Sequence, residues 1–333
     1  METLLSVQDL HTSFFTPVGE VRAVGGVSFE LCRGEVLGIV GESGSGKSVT
    51  MLSVLRLLGS NGRVVRGSLR FGGEELTALS DEALTNLRGD RIGTVFQDPM
   101  TSLNPVLTVG YQLAEPLRRH HGLGRQEAWR RAGEMLERVG IVPAAKRLGQ
   151  YPHQFSGGQR QRIMIAMALI CEPDLLIADE PTTAPDVTIQ AQILDLMREL
   201  RHQSDSAIIL ITHDLGVIAG MADRVLVMYG GHVVEEAPVD LLFTQPEHPY
   251  TQGLLRSVPN PDTLAKHRLI PIQGQPPDLL CPPRGCPFFP RCPQALRVCQ
   301  TWPPEETSRT PGHKSACWLQ HPSAAKNGGG VRG

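Results

Sequence analysis

Between Glu35 and Gly59 the chain reads EVLGIVGESGSGKSVTMLSVLRLLG, and this stretch restricts the fold more tightly than any other. EVLGIVG is short, apolar and closed by glycine, the pattern of a fully buried strand. KSVTMLSVLRLLG carries apolar residues at helical spacing, with Gly59 as the expected stop. Between them GESGSGKS, Gly41 to Ser48, fits the phosphate-loop pattern G-x-x-x-x-G-K-[S or T]. A glycine loop that leaves a strand and opens a helix turns backbone N–H groups and the positive helix end toward phosphate oxygens. Gly41, Glu42, Ser43, Gly44, Ser45, Gly46, Lys47, Ser48 and the adjoining Val49 are therefore expected to hold a nucleotide. In that arrangement Lys47 reaches the terminal phosphates and Ser48 ligates Mg²⁺.

The surrounding pattern fits an α/β fold. GSLRFGG and RIGTVFQ read as strands around a polar helix near 81–88, and DLLIAD (174–179) and SAIILIT (206–212) read as strands separated by the helix VTIQAQILDLMREL. Strands alternating with helices predict a mostly parallel sheet covered on both faces. From about 104 to 165, Pro105, Pro116 and the charged pattern RQEAWRRAGEMLERVG predict an inserted helical subdomain, closed by the apolar helix GGQRQRIMIAMALIC. Beyond 240 prolines punctuate almost every segment, so 241–320 reads as a loop-rich extension after a domain over 1–240, and 321–333 as a disordered tail.

Composition narrows the function. A formal net charge of −2 over 333 residues provides no basic field for bulk nucleic-acid binding. The N-terminus METLLSVQDLHTSFF lacks the basic and apolar regions of a signal peptide, which predicts a cytosolic protein. The longest apolar run, IMIAMALIC, is well short of the ~18 residues that cross a bilayer, so a membrane role is expected to act through partners.

Two further motifs carry chemistry. LLIADE (175–180) is an apolar strand ending in two carboxylates, placing Asp179 to serve a metal and Glu180 to polarise an attacking water. FSGGQRQR (155–162) sets Ser156, Gly157, Gly158 and Gln159 at the start of a buried helix, a second anion-binding helix end. One phosphate loop already holds a nucleotide in its own subunit, so the second anion site points to a second subunit. With these motifs in this order the sequence resembles the ATP-binding cassette (ABC) ATPases, a P-loop NTPase fold with a core sheet, an antiparallel β subdomain and a helical subdomain.

The resemblance implies further roles. Gln97 in VFQDP matches the glutamine that senses Mg²⁺ and the membrane partner, and His213 in LITHD the histidine that contacts the γ-phosphate. Phe14 in HTSFFTP matches the aromatic residue that stacks on adenine, with Phe15 a near rival and a core role for either equally open. Asp186 is retained in PTTAPDVT, whereas Pro185 stands where the family usually has leucine. PEHPYTQGLLRSVP (246–259) and FQDPMTSLNP resemble the oligopeptide and dipeptide importer branch. That branch implies an ATPase at the cytoplasmic membrane face, working with two permeases, a second related ATPase and an extracytoplasmic binding protein. Nickel, glutathione and antimicrobial-peptide importers share the motifs, and a mainly regulatory subunit or a nucleic-acid-associated cassette ATPase are the competing readings.

The chain has seven cysteines, four of them in CPPRGCPFFPRCPQALRVC. In relatives with this tail four cysteines hold an iron–sulfur cluster, and Cys286, Cys292, Cys299 and Cys317 match their spacing. A 4Fe-4S cluster, a zinc site and no metal all remain open at this point, with Cys281 outside the pattern and Cys32 and Cys171 expected in the core.

Overall fold

A computed structural model describes residues 2–97, 102–181, 187–257 and 271–322. Asp186, Pro185 and most of the expected disordered tail lie outside the described residues. In chain order the strands are β1 (Thr3–Thr16), β2 (Gly19–Cys32), β3 (Val36–Val40), β4 (Gly62–Phe71), β5 (Glu74–Glu75), β6 (Ile92–Val95), β7 (Leu175–Asp179), β8 (Ala207–Ile211), β9 (Arg224–Tyr229), β10 (His232–Pro238), β11 (Thr307–Thr310) and β12 (His313–Ser315). The helices are α1 (Lys47–Val54), α2 (Asp81–Leu87), α3 (Val109–His120), α4 (Arg125–Arg138), α5 (Ala144–Arg147), α6 (Gly157–Leu169), α7 (Val187–Ser204), α8 (Leu215–Met221), α9 (Val239–Thr244), α10 (Pro249–Arg256) and α11 (Val298–Thr301).

The chain divides into two compact units. The first comprises Met1–Leu5, Glu30–Val36 and Arg70–Ile211. Its strands β6, β7 and β8 run parallel, with Ile92 opposite Leu175 and Leu175 opposite Ala207. The five residues of β8 are all buried, and four of the five in β7, which suits sheet strands covered on both faces. The helices α3, α4 and α6 pack together through buried Val109, Leu113, Leu117, Ala132, Leu136, Ile163 and Ile165. Asp174, just before β7, is gripped by Arg33 at 3.1 Å and Arg91 at 2.7 Å, tying the entry of the strand to two other segments of the unit.

The second unit comprises Ser6–Phe29, Leu37–Leu69 and Thr212–Gly333. Here β3 pairs parallel with β9, and β9, β10, β12 and β11 continue antiparallel. The loop-rich extension therefore also supplies two short strands. Its attachment is buried: Glu235 of β10, 1% exposed, accepts hydrogen bonds from His313 Nε2 of β12 at 2.7 Å and from the backbone of Glu247 and His248 ahead of α10.

Candidate nucleotide site

The second unit carries the phosphate loop. Strand β3 is buried at every position and delivers the chain to Gly41, where φ is +153° and an added Cβ would lie 2.2 Å from the Met228 carbonyl oxygen. Gly46 caps α1 at φ +102°, where a Cβ would meet the Ala23 carbonyl at 2.8 Å. Side chains are excluded at both positions, which keeps the loop narrow and its backbone close to the strand. Helix α1 has no side-chain cap and no acidic residue in its first turn, leaving its positive end suited to an anion. Lys47 is buried and folds back over the loop, donating to the carbonyls of Gly41 at 2.7 Å and Glu42 at 3.0 Å. Ser43 and Gly44 face solvent, and Ser48 and Val49 are half-buried at the start of the helix.

His213 follows β8 and is exposed. Its position is set on both sides: the Thr212 amide donates to Ile39 of β3, and Asp214 caps α8 through the amides of Gly216 and Val217. Phe14 packs closely on Gly62, where an added Cβ would be 2.8 Å from the ring. Phe15 is 48% exposed beneath the Arg63 guanidinium, 5.8 Å from the ring centroid, and so offers the freer stacking face.

The first unit carries the carboxylates and the SGGQ segment. Gln97 and Glu180 follow the ends of neighbouring strands β6 and β7, and Gln97 Nε2 donates to Glu180 Oε2 at 2.8 Å. Glu180 has φ +48°, a left-handed conformation uncommon outside glycine, secured by its amide bond to Ile211 at 2.8 Å. Such strained residues concentrate where function requires the geometry. Asp179 closes β7 and is half-buried. Ser156 caps α6 in a reciprocal box: its hydroxyl accepts from the Gln159 amide at 3.3 Å, while Gln159 Oε1 accepts from the Ser156 amide at 3.1 Å. Ser156 and Gly157 are exposed, Gly158 and Gln159 half-buried, and the first turn has no acidic residue. The helix end is thus open toward solvent.

The loop has partners that sequence reasoning missed. The Glu42 amide donates to Tyr250 Oη at 2.8 Å, and the Glu42 carboxylate takes two hydrogen bonds from Arg291, at 2.6 and 3.0 Å. Tyr250 packs on Tyr229 and Phe288, with ring centroids 4.6 and 5.3 Å away. Both segments were visible in the sequence as the extension's PEHPYTQGLL and FFPRCP, but nothing local in them signals a contact with the loop.

Two regions of the chain match family models: residues 24–183 match the ABC transporter model, and residues 234–299 the model of the oligopeptide/dipeptide transporter C-terminal region. The chain is 56% identical over 321 residues to the dipeptide transport ATP-binding protein DppD of Bacillus subtilis, covering 96% of each. It is 52% identical over 315 residues to the oligopeptide transport ATP-binding protein OppD of Salmonella typhimurium, covering 95% of this chain and 93% of that one. This chain belongs to the oligopeptide/dipeptide importer family of ABC transporter ATPases. The ABC cassette MJ0796, solved as a dimer in a post-hydrolysis state bound to ADP and Pi, superposes with a TM-score of 0.65 and 28% identity. That cassette is covered over 99% of its length and matches 71% of this chain. The ABC ATPase fold and an ATP-hydrolysing activity follow from these matches.

The iron–sulfur expectation is corrected. Among the described residues, the group of three or more His, Cys, Asp or Glu side chains with ligand atoms all within 4.8 Å of one another is Asp90, His121 and Cys171; the tail cysteines form no such group. The peptide-importer relatives above are named as ATP-binding proteins. Burial pushes the Cys286 thiol up to about 11 and the Cys317 thiol up to about 12, and raises Cys292 and Cys299 as well. Burial thus disfavours the thiolate form at all four positions. Cys171 is buried, as expected, whereas Cys32 is only partly so and Cys281 is exposed.

Proposed function

We propose that this ABC importer ATPase binds ATP through Gly41–Val49 and hydrolyses it to drive import of dipeptides and oligopeptides. The observation that carries the reading is the Gln97–Glu180 hydrogen bond at 2.8 Å, which joins the residue suited to answer metal and permease to the residue suited to act on water. Peptide as the solute rests on the named activities of the relatives. Glu180 is the general base, His213 contacts the γ-phosphate, Lys47 neutralises it and Gln97 orients the attack. Phe14 or its neighbour Phe15 stacks on the adenine. Ser156, Gly157, Gly158 and Gln159, with Asp186, serve the ATP of the opposite subunit in a closed dimer.

Mg²⁺ fits the donor chemistry of the chain. The Ser48 hydroxyl, the Gln97 amide oxygen and the Asp179 carboxylate are each hard oxygen donors of the kind Mg²⁺ takes. Mg²⁺ bound with the nucleotide would supply charge neutralisation to the phosphates.

The domain division that accompanies this reading is a nucleotide-binding domain over 1–240, with a helical subdomain at about 104–165, an importer-type extension over 241–320 and a tail over 321–333. Among the described residues no helix is long and apolar enough to cross a membrane. In this reading, supported by the peptide-transport ATP-binding relatives, the subunit works peripherally at the cytoplasmic face on two permeases fed by an extracytoplasmic binding protein, with a second related ATPase completing a heterodimer.

The test is steady-state ATP hydrolysis in the reconstituted importer with Lys47→Ala placed in this chain alone. Loss of most turnover is expected. An unchanged rate would assign the chain a regulatory role beside an active companion.

A further inference from the structure

The second residue of the phosphate loop is an acid, which is a poor neighbour for a triphosphate. Like charges a few ångströms apart repel strongly where water is thin. The chain answers this with Arg291, 249 positions away in sequence. Its side chain is 5% exposed, and each of its five N–H donors has an acceptor. Nη1 donates to Glu42 Oε2 and Tyr229 Oη, Nη2 to Glu42 Oε1 and the Ile272 carbonyl, and Nε to the Gln273 carbonyl. The guanidinium also lies over the Tyr229 ring, 5.7 Å from its centroid. A bidentate pair held this way fixes both the charge and the direction of the carboxylate. Tyr250 fixes the same residue's backbone by accepting its N–H, so that the loop's entry is pinned at side chain and main chain together.

We propose that Arg291 and Tyr250 are positioning residues for the phosphate loop, through which the C-terminal extension sets the ATP affinity of its own subunit. Neither touches nucleotide. They act through Glu42, neutralising its charge and holding the loop in the shape that receives phosphate. The proposal rests on the assignment of Gly41–Ser48 to the nucleotide phosphates.

The experiment measures the Kd of ATP on the purified full chain, and KM and kcat in the assembled importer. Arg291→Gln is expected to raise Kd and KM about tenfold with kcat within about twofold, the signature of lost ground-state binding. Adding Glu42→Gln removes the stranded carboxylate and is expected to restore Kd to within about threefold of the unaltered protein. Arg291→Lys keeps the charge without the fork and should fall between. A folded Arg291→Gln variant with unchanged Kd and KM would overturn the proposal, and so would a weakened variant that Glu42→Gln fails to rescue, since a purely structural docking role predicts no rescue. If Arg291→Gln does not fold, Tyr250→Phe keeps the ring and removes the acceptor: a severalfold rise in KM supports the proposal and no change overturns it. Lys47→Ala separates the two layers. Normal ATP binding by that variant would remove the loop assignment and the proposal with it, whereas lost binding alongside an unaffected Arg291→Gln variant would remove the proposal alone.

Discussion

Glu180 adopts a conformation that L-residues avoid, and its carboxylate is held by Gln97. Here the strained backbone sits at the end of a core strand with a carboxylate held by a neighbouring amide, and it is that combination which motivates a chemical role for Glu180. Glu180→Gln keeps the shape and removes the base, so phosphate release should fall by at least about a hundredfold while ATP binding persists. Parallel phosphate-release and nucleotide-binding assays check this, and near-normal turnover would remove Glu180 from its role. His248 is a second residue whose environment has a measurable consequence. It is buried, its Nδ1 accepts from the Tyr250 amide and its Nε2 has no partner among the described residues; burial lowers its pKa to about 3. The unfolded chain takes up this proton near the ordinary histidine value, so between that value and about 3 it binds more protons than the folded chain. Stability is therefore lost as the pH falls through this window, by up to about 1.4 kcal/mol per pH unit. His248→Asn retains a cap acceptor without titrating, and its melting temperature should fall less than that of the unaltered protein on going from neutral pH to about pH 5.

At the scale of elements, two serine-capped helices give an internal control. Ser80 caps α2 by accepting from the Ala83 amide at 3.2 Å, and Ser156 caps α6 by accepting from Gln159. Either serine changed to alanine should cost about 1 kcal/mol of stability in chemical denaturation. Ser156→Ala alone should also suppress ATP turnover in the assembled importer; equal activity in the two variants would reduce the SGGQ segment to a cap. The elements also show what the sequence made legible. The β3–loop–α1 unit, the parallel strands β6, β7 and β8 and the buried α6 follow from apolar periodicity, which burial imposes directly. The end of α1 did not: Gly59 is the stop signal in sequence, yet the helix closes at Val54. There Arg56 takes the left-handed position at φ +50°, while its amide bonds Ser53 and that of Leu57 bonds Leu52, a Schellman closure built without glycine. The two strands of the extension were also hidden. Four and three residues long, they are too short to show an alternation, and β12 is fixed by its pairing with β10, an interaction distant in sequence.

At the scale of the molecule, candidate nucleotide residues can be proposed from sequence because their chemistry is local: a loop, two carboxylates and a helix start each carry their own pattern. The support for that site is not local. Arg291 and Tyr250 reach Glu42 across most of the chain's length, and only the folded structure brings them to it. The cysteines show the opposite limit: a spacing that resembles a cluster leaves no three of the described tail thiols within 4.8 Å of one another. The central claim is that ATP turnover by this chain drives peptide import, and it is tested most directly by uptake of a labelled dipeptide into vesicles carrying the whole importer and its binding protein. The account predicts uptake that requires ATP and disappears with Lys47→Ala in this chain alone. Uptake that survives that change, or an assembly that moves nickel and no peptide, would contradict it.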